Sequence, residues 1–510
     1  MCKMAHFGNC DPETADQEYC IFHKPDKDEK EAREFYNKLV LKFFGYVLDI
    51  KSIAVRKLEN FEYNLHFSKS IPVGGTTYSH RVNYRFGLSL RCEKFVFPQI
   101  PVDVEFSFKY AIFEKKANFR LATFIGYTTF EGVIFKNEAI FDSAIFKGNT
   151  IFEKAQFNGV SRFSDATFEM PAYFENSVFN GNAIFERTEF RRETYFENTT
   201  FGKTANFDEI MFFSKANFQK CRFLEDAKFS EAYFELSSDF EGCIFEKSAD
   251  FSAATFNGYV YFDRTIFKDD VSFEGVTFNE PISFKGKPEE YKYKFYGKLD
   301  FSHADIRKGI DIDIPSKWFK LPEAEIEARR VQRISYEKEG KRYEADEMFV
   351  LERRTLRKWL KRHAKERFKN AEGIYSKFES FLYLLYVYFA TITEAVLADW
   401  ISRYGTKWSL ILLNSFGVIG INAILYWVLS GFAKKTFLGI PIGTIYTDAS
   451  SQGLIGFLNA LYYSLVTFTT LGYGDMHPTG WLKIVSGLEA LTGAVFMALI
   501  VAVIARKWMC

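Results

Sequence analysis

Histidine and cysteine are scarce in this 510-residue chain, with seven of each. Net charge is nearly absent too, since 66 lysines and arginines face 65 acids. Each shortage excludes something. A chain without a basic excess has no global electrostatic pull toward nucleic acid, and no such partner is expected. There is no phosphate-cradling glycine loop, no Ser/His/Asp arrangement and no pair of carboxylates with an evident cleft, so an enzyme is not expected. Nothing at the N-terminus looks like a cleavable signal peptide, and Cys92, Cys221, Cys243 and Cys510 are dispersed, which argues against a disulfide framework. What the chain has in excess is phenylalanine, 59 residues. It also has two long apolar stretches near its C-terminus, one uncharged and one nearly so. At this length more than one domain is expected.

The first stretch runs from Trp408 to Gly431 and is apolar on all faces. At 1.5 Å per residue it covers ~36 Å, enough to cross a bilayer with some tilt. The second runs from Trp481 to Ala505 and ends in Arg506 and Lys507. Trp408, Tyr426, Trp427 and Trp481 lie near the ends of these spans, as interfacial aromatics do. Between them Leu454 to Thr469 has helical spacing of Leu458, Leu461, Tyr462, Leu465 and Val466. It leads into Thr470-Leu471-Gly472-Tyr473-Gly474-Asp475.

A short run of carbonyls with two glycines can replace the water around a potassium ion. The order span, short helix, Thr-Leu-Gly-Tyr-Gly-Asp, span resembles the two-transmembrane, single-pore-loop potassium channel family over residues 404–507. It departs from the commonest filter at Leu471, where valine or isoleucine is usual. The resemblance implies that the carbonyls of Thr470, Leu471, Gly472 and Tyr473 coordinate K+, that Tyr473 packs outward, and that Asp475 sits at the outer mouth. One loop cannot encircle an ion, so a homotetramer is implied. Gly493 in the second span is a candidate gating hinge, with close helix packing as the alternative. Glu489 is an acid inside a span, which is costly and therefore a functional candidate. It could accept hydrogen bonds behind the filter or face the aqueous cavity.

From Phe108 to Phe284 phenylalanine recurs at alternating steps of five and six, at 33 consecutive sites. Two residues before each the side chain is nearly always small or short, as at Ala117, Ala139, Ala166, Ala205 and Cys221. A period of eleven fits neither an amphipathic helix nor a coiled coil. It resembles the pentapeptide-repeat family, which implies a right-handed quadrilateral β-solenoid with phenylalanine stacked in the lumen. About eight turns at ~4.8 Å each give a rod of ~38 Å. Cys92 to Phe106 is the expected N-terminal cap. The lysine-rich segment up to Lys294 is expected to break the register, with Phe295, Phe301 and Ile306 forming a last coil. Some members of that family mimic DNA, but residues 106–284 carry 27 acids against 19 bases in mixed order, so a solvated face is expected instead.

Cys2, Cys10, Cys20 and His23 cluster at the N-terminus, with His6 nearby. Three thiolates and an imidazole complete a tetrahedral zinc set. Short Cys/His openings of this kind accompany other bacterial pentapeptide-repeat proteins, so Zn2+ is a candidate ligand beside reduced, unliganded cysteines. Residues 323–369 read as two charged helices around Glu339-Gly340. Nine lysines or arginines and one glutamate lie between Arg353 and Lys369, which suits anionic lipid at the cytosolic surface. The same run places this side inside. Phe378 to Ala398 is apolar but carries Glu379, Glu394 and tyrosines, and is expected to lie in the interface rather than to span.

These observations divide the chain into a zinc-knuckle-like segment (1–24), a helical or irregular region (25–91), a capped solenoid (92–316), a charged helical coupler (317–372), an interfacial helix and elbow (373–405) and a pore domain (406–510). Within the last, the spans are 408–431 and 481–505, the pore helix is 454–469 and the filter is 470–475. The combined expectation is a homotetrameric potassium channel in a prokaryotic inner membrane, multi-pass, with both termini cytosolic. Alternatives are a weakly selective cation channel, prompted by Leu471, and a membrane-anchored solenoid scaffold.

Overall fold

A large residue every five or six positions can face inward only if the chain turns a corner between each. It does so here. The structure, a computed structural model, describes residues 2–44, 85–86, 89–100, 108–287, 289–312, 315–430, 436–437, 440–441, 443, 445 and 453–508. Most of the region expected to be helical or irregular after Phe44 lies outside the described residues, as does the stretch 101–107 of the expected N-terminal cap. The described chain forms two compact units, Met1–Leu356 and Arg357–Cys510.

The first unit is a four-faced solenoid. Two-residue strands line up in four parallel sheets of nine or ten strands each. Thr150 pairs with Ala172 and Ala172 with Thr194, so one coil takes 22 residues. The phenylalanines fill the lumen. Phe174 stacks between Phe152 at 5.0 Å and Phe196 at 4.8 Å, and Phe163 meets Phe152 edge-on at 5.6 Å. All four are fully buried. Each such burial contributes roughly 1.5–3 kcal/mol, and each ring pair adds about 0.5–1.5 kcal/mol.

The small inward residues are buried beside the phenylalanines. Several use a donor: Thr188 Oγ1 donates to the Phe163 carbonyl at 2.7 Å and Cys221 Sγ to that of Phe196 at 3.0 Å. Every eleventh residue turns the corner with left-handed backbone, as at Lys154, Asp165, Asn176, Arg187 and Asn198, all with φ of 53–58°. That conformation is unfavourable for residues with a Cβ. It is offset by a hydrogen bond to the next coil, such as Lys154 N–H to the Glu175 carbonyl at 2.9 Å.

Stacking one coil on another also stacks surface charges. Glu153, Glu175 and Glu197 share a column. Half-burial, and then the like charges on either side, push Glu175 up to about 7. The folded chain therefore holds a proton there that the unfolded chain releases near pH 4.3. Stability falls as pH rises from about 4.5 to 7. Glu175→Gln is expected to stabilise the protein above pH 7 by about 1 kcal/mol, allowing for solvent screening, and to change nothing below about pH 4. Thermal unfolding at pH 4 and pH 8 checks this; equal shifts at both would refute it.

The N-terminal end of the lumen is covered by residues 2–39, not by the Cys92 to Phe106 stretch alone. Phe22 stacks on Phe95 at 4.6 Å and Val96 N–H donates to the Phe22 carbonyl at 2.9 Å. Helix α1 (Glu29–Phe44) lays Phe35 edge-on to Phe97 at 5.4 Å. Tyr36 hydroxyl donates to the Pro98 carbonyl. Residues 90–97 already pair in the solenoid, Leu90 with Ala117 and Val96 with Thr123. The sequence pattern does not reveal this cap because residues 45–89 separate α1 from those strands.

At the other end the register lengthens as expected. Phe295 stacks on Phe267 at 5.4 Å and Phe301 on Phe273 at 4.8 Å, 28 residues apart instead of 22. Lys294 is buried in this longer coil, and its ammonium donates to the carbonyls of Phe262 at 2.9 Å and Phe284 at 2.8 Å. Helix α2 (Pro322–Lys338) then covers the last strands, with Ser335 Oγ accepting from Ile310 N–H at 3.0 Å. The chain turns at Gly340, φ 73°, into α3 (Arg342–Asn370). Arg333 binds Glu352 across the α2–α3 pair at 3.1 Å.

The second unit is helical. Helix α4 (Ile374–Glu394) continues in a π-helical turn, Ala395–Trp400. After an elbow come α5 (Trp408–Ser430), α6 (Leu454–Phe468) and α7 (Leu482–Trp508), which pack on one another. Three helices are long and apolar enough to cross a membrane: Ile374–Trp400, Trp408–Leu429 and Leu482–Ala505. The first of these is the segment that the sequence assigned to the interface.

Candidate functional site

Helix α6 is too short to span, and its apolar face is held between α5 and α7. Ala460 and Tyr463 pack with Tyr426 and Leu482 at one end. Phe468 packs with Ile419, Phe496 and Val503 at the other. The segment 470–475 follows directly. Thr470 N–H donates to the Thr467 carbonyl at 3.0 Å and Leu471 N–H to that of Val466 at 3.1 Å. These bonds use the last free carbonyls of α6, whose dipole end favours a cation.

Along the segment φ is positive at Thr470 (56°), Gly472 (53°) and Gly474 (81°), and not at Leu471 or Tyr473. Glycine accepts that conformation at no steric cost. Thr470 does not: a β-branched residue with positive φ is strained, and such strain gathers at ligand-binding positions. Leu471 and Tyr473 are exposed in the single chain.

Glu489 does not face open space. It is buried, and its carboxylate accepts the Tyr426 hydroxyl of α5 at 2.6 Å and the Ser464 hydroxyl of α6. Of the two placements left open by the sequence, the structure has the one behind the pore helix. Gly493 lies one turn further along α7. A Cβ there would stand 1.8 Å from the Phe468 carbonyl oxygen, so this glycine permits a close helix approach. Helix α7 runs unbroken through it. From the sequence Tyr426 reads as an interfacial aromatic, whereas it is fully buried, and Ser464 is not singled out. The available signal was chemical: a buried acid in a span needs donors, and both residues carry a hydroxyl.

The second cluster is in the N-terminal unit. The ligand atoms of Cys2, Cys10, Cys20 and His23 all lie within 4.8 Å of one another. His23 Nδ1 is 2.9 Å from Cys20 Sγ, 3.6 Å from Cys10 Sγ and 3.9 Å from Cys2 Sγ. A tetrahedral zinc site with Zn–S of about 2.3 Å and Zn–N of about 2.0 Å has N···S edges of about 3.6 Å, so these four residues fit the ion after small adjustments. Burial pushes the Cys2 thiol up, but backbone N–H groups of Cys20 and Met4 outweigh it and leave it below the usual thiol value. Cys10 is pushed up to about 12 by burial and by the neighbouring sulfurs. His6 is not part of the set.

Residues 422–509 match a family described as ion channel. Residues 108–156, 141–189, 152–200, 211–255 and 240–286 match one described as pentapeptide repeats. No curated protein and no solved structure matches the chain. The chain thus joins a pentapeptide-repeat solenoid to a helical segment of the ion channel family.

Proposed function

We propose that this protein is a homotetrameric potassium-selective channel of a prokaryotic inner membrane. Residues 470–475 serve as its filter. The observation that carries the reading is the placement of this segment: it leaves the C-terminal end of a short apolar helix wedged between two spanning helices, with left-handed backbone at Thr470, Gly472 and Gly474. Four copies are needed to surround one ion. Leu471 is the feature that favours weaker selectivity as a second reading.

The solenoid and both termini belong on the cytosolic side in this reading, because nine cations crowd Arg353 to Lys369. Helix α4 then lies in the interface. It is strapped along α3: Arg357 binds Asp399 at 2.5 Å, Lys361 stands over the Tyr388 ring at 5.6 Å and Arg367 binds Glu379 at 2.8 Å. Cations spread over ~15 Å of α3 would be costly at membrane depth. Anionic headgroups are the natural partners of those that remain exposed. Zn2+ at Cys2, Cys10, Cys20 and His23 completes the assignment as a structural ion.

Purified protein in liposomes is expected to pass a current whose reversal potential follows the potassium gradient and which barium blocks. Gly472→Ala or Gly474→Ala forces a Cβ into left-handed backbone at about 1–2 kcal/mol per chain, and four chains share one ion path. Each variant is expected to lose most of that current. Unchanged flux in either would remove the filter from this segment.

A further inference from the structure

Burying a carboxyl group in a membrane helix is costly, and a chain that does so without placing it on the ion path has another use for it. Glu489 joins all three helices of the pore unit. It sits on α7, takes the Tyr426 hydroxyl of α5 at 2.6 Å and takes the Ser464 hydroxyl of α6. Tyr426 and Ser464 are fully buried and Glu489 is 3% exposed. Ser464 also reaches the Ile419 carbonyl of α5 at 2.9 Å, and Tyr463 Oη lies 2.8 Å from Ser486 Oγ on α7. The seam has a matched period. Ser464 and Phe468 are one turn apart on α6, and they meet Glu489 and Gly493, one turn apart on α7. A fully satisfied buried network of this kind holds one arrangement against its alternatives.

The geometry points to Glu489 as a positioning residue for ion selectivity. It touches no ion. It fixes the height and rotation of α6, and the carbonyls after Phe468 inherit that position because they continue the same helix end. A sub-ångström shift of α6 moves the ring of coordinating oxygens, and discrimination between two cations depends on that ring. The inference rests on the channel reading above.

The test uses the full chain in planar bilayers, with K+ on one side and Na+ on the other. Glu489→Leu removes both acceptors. It is expected to move the K+/Na+ permeability ratio toward one by tenfold or more and to change the unitary conductance. Glu489→Gln restores the ties, since its carbonyl accepts from Tyr426 and its amide meets Ser464 Oγ. Its ratio is expected within about twofold of the wild type, a rescue that simple space-filling would not produce. Tyr426→Phe and Ser464→Ala each remove one hydroxyl and are expected to shift the ratio part of the way; they carry the test if Glu489→Leu does not assemble. Wild-type ratio and conductance in Glu489→Leu, or in both single-hydroxyl variants, would overturn the proposal. So would Glu489→Gln behaving as Glu489→Leu. The wild-type ratio alone decides the channel reading, whereas the shift between variant and wild type decides this one, whichever cation the wild type prefers.

Discussion

Gly493→Ala is expected to abolish most conduction while leaving the solenoid folded. The added methyl would meet the Phe468 carbonyl oxygen at 1.8 Å, its carbon at 2.7 Å and Cα at 3.0 Å. These are backbone atoms, so no side chain can swing aside. Overpacking of this kind costs about 1–3 kcal/mol per site, and each of four chains would bear it. Helix α6 or α7 must shift, and the filter segment begins two residues after Phe468, the residue that is struck. We expect at least a tenfold loss of potassium current in liposomes, with altered unitary conductance in whatever remains. Gly417→Ala is the matched control, because among the described residues nothing beyond its own helix backbone lies within 4 Å of its added methyl. A hinge role makes a different prediction: open probability changes and unitary conductance does not. That outcome in single-channel recordings would return Gly493 to the hinge reading.

Cys20→Ser is expected to strip the N-terminal ion and unseat the cap. Structural zinc contributes apparent free energies of about 10–16 kcal/mol at pH 7, more than the remaining contacts of so short a segment can replace. The two residues between Cys20 and His23 include Phe22, which is the outermost rung of the aromatic stack. Releasing the ligands therefore releases the rung. Wild-type protein is expected to carry one zinc per chain, and Cys10→Ser and Cys20→Ser close to none. Hydrogen exchange should rise across residues 2–39 and stay slow in the central coils, because each coil contacts only its neighbours. The ligands must be deprotonated to bind, so the ion is lost as pH falls, with the cap loosening in the same range. Metal analysis finding no stoichiometric zinc in wild-type protein would end this assignment. Unchanged exchange in Cys20→Ser would separate the cap from the ion.

Much of the molecule was readable before any coordinate. The phenylalanine register and the helices at Trp408–Ser430, Leu454–Phe468 and Leu482–Trp508 lie close to where the sequence pattern puts them. Local periodicity carries such elements, since a side chain that recurs every eleventh residue must face inward in every coil. Lys294 was less legible. In the sequence it is one more cation in a lysine-rich break, yet it is buried with its amine on the backbone carbonyls of Phe262 and Phe284, which the longer coil brings around it. The segment at Ile374–Trp400 was ambiguous in a different way. Composition alone qualifies it as a span. The run of cations from α3 laid against it argues otherwise, and that run is a fact of packing.

The sequence by itself determined the solenoid and the ion-channel segment, and it singled out residues 470–475 as the candidate filter and Cys2, Cys10, Cys20 and His23 as candidate zinc ligands. Each is written in spacing along one dimension. Only the tertiary structure decided which groups Glu489 and Gly493 meet. Tyr426 lies 63 residues from Glu489 and Ser464 lies 25 away, with no period connecting them. A polar group buried in an apolar bundle declares that it needs partners, but which partners it finds depends on how three helices are rotated against each other. That rotation is set by the summed packing of their faces, which no single motif records.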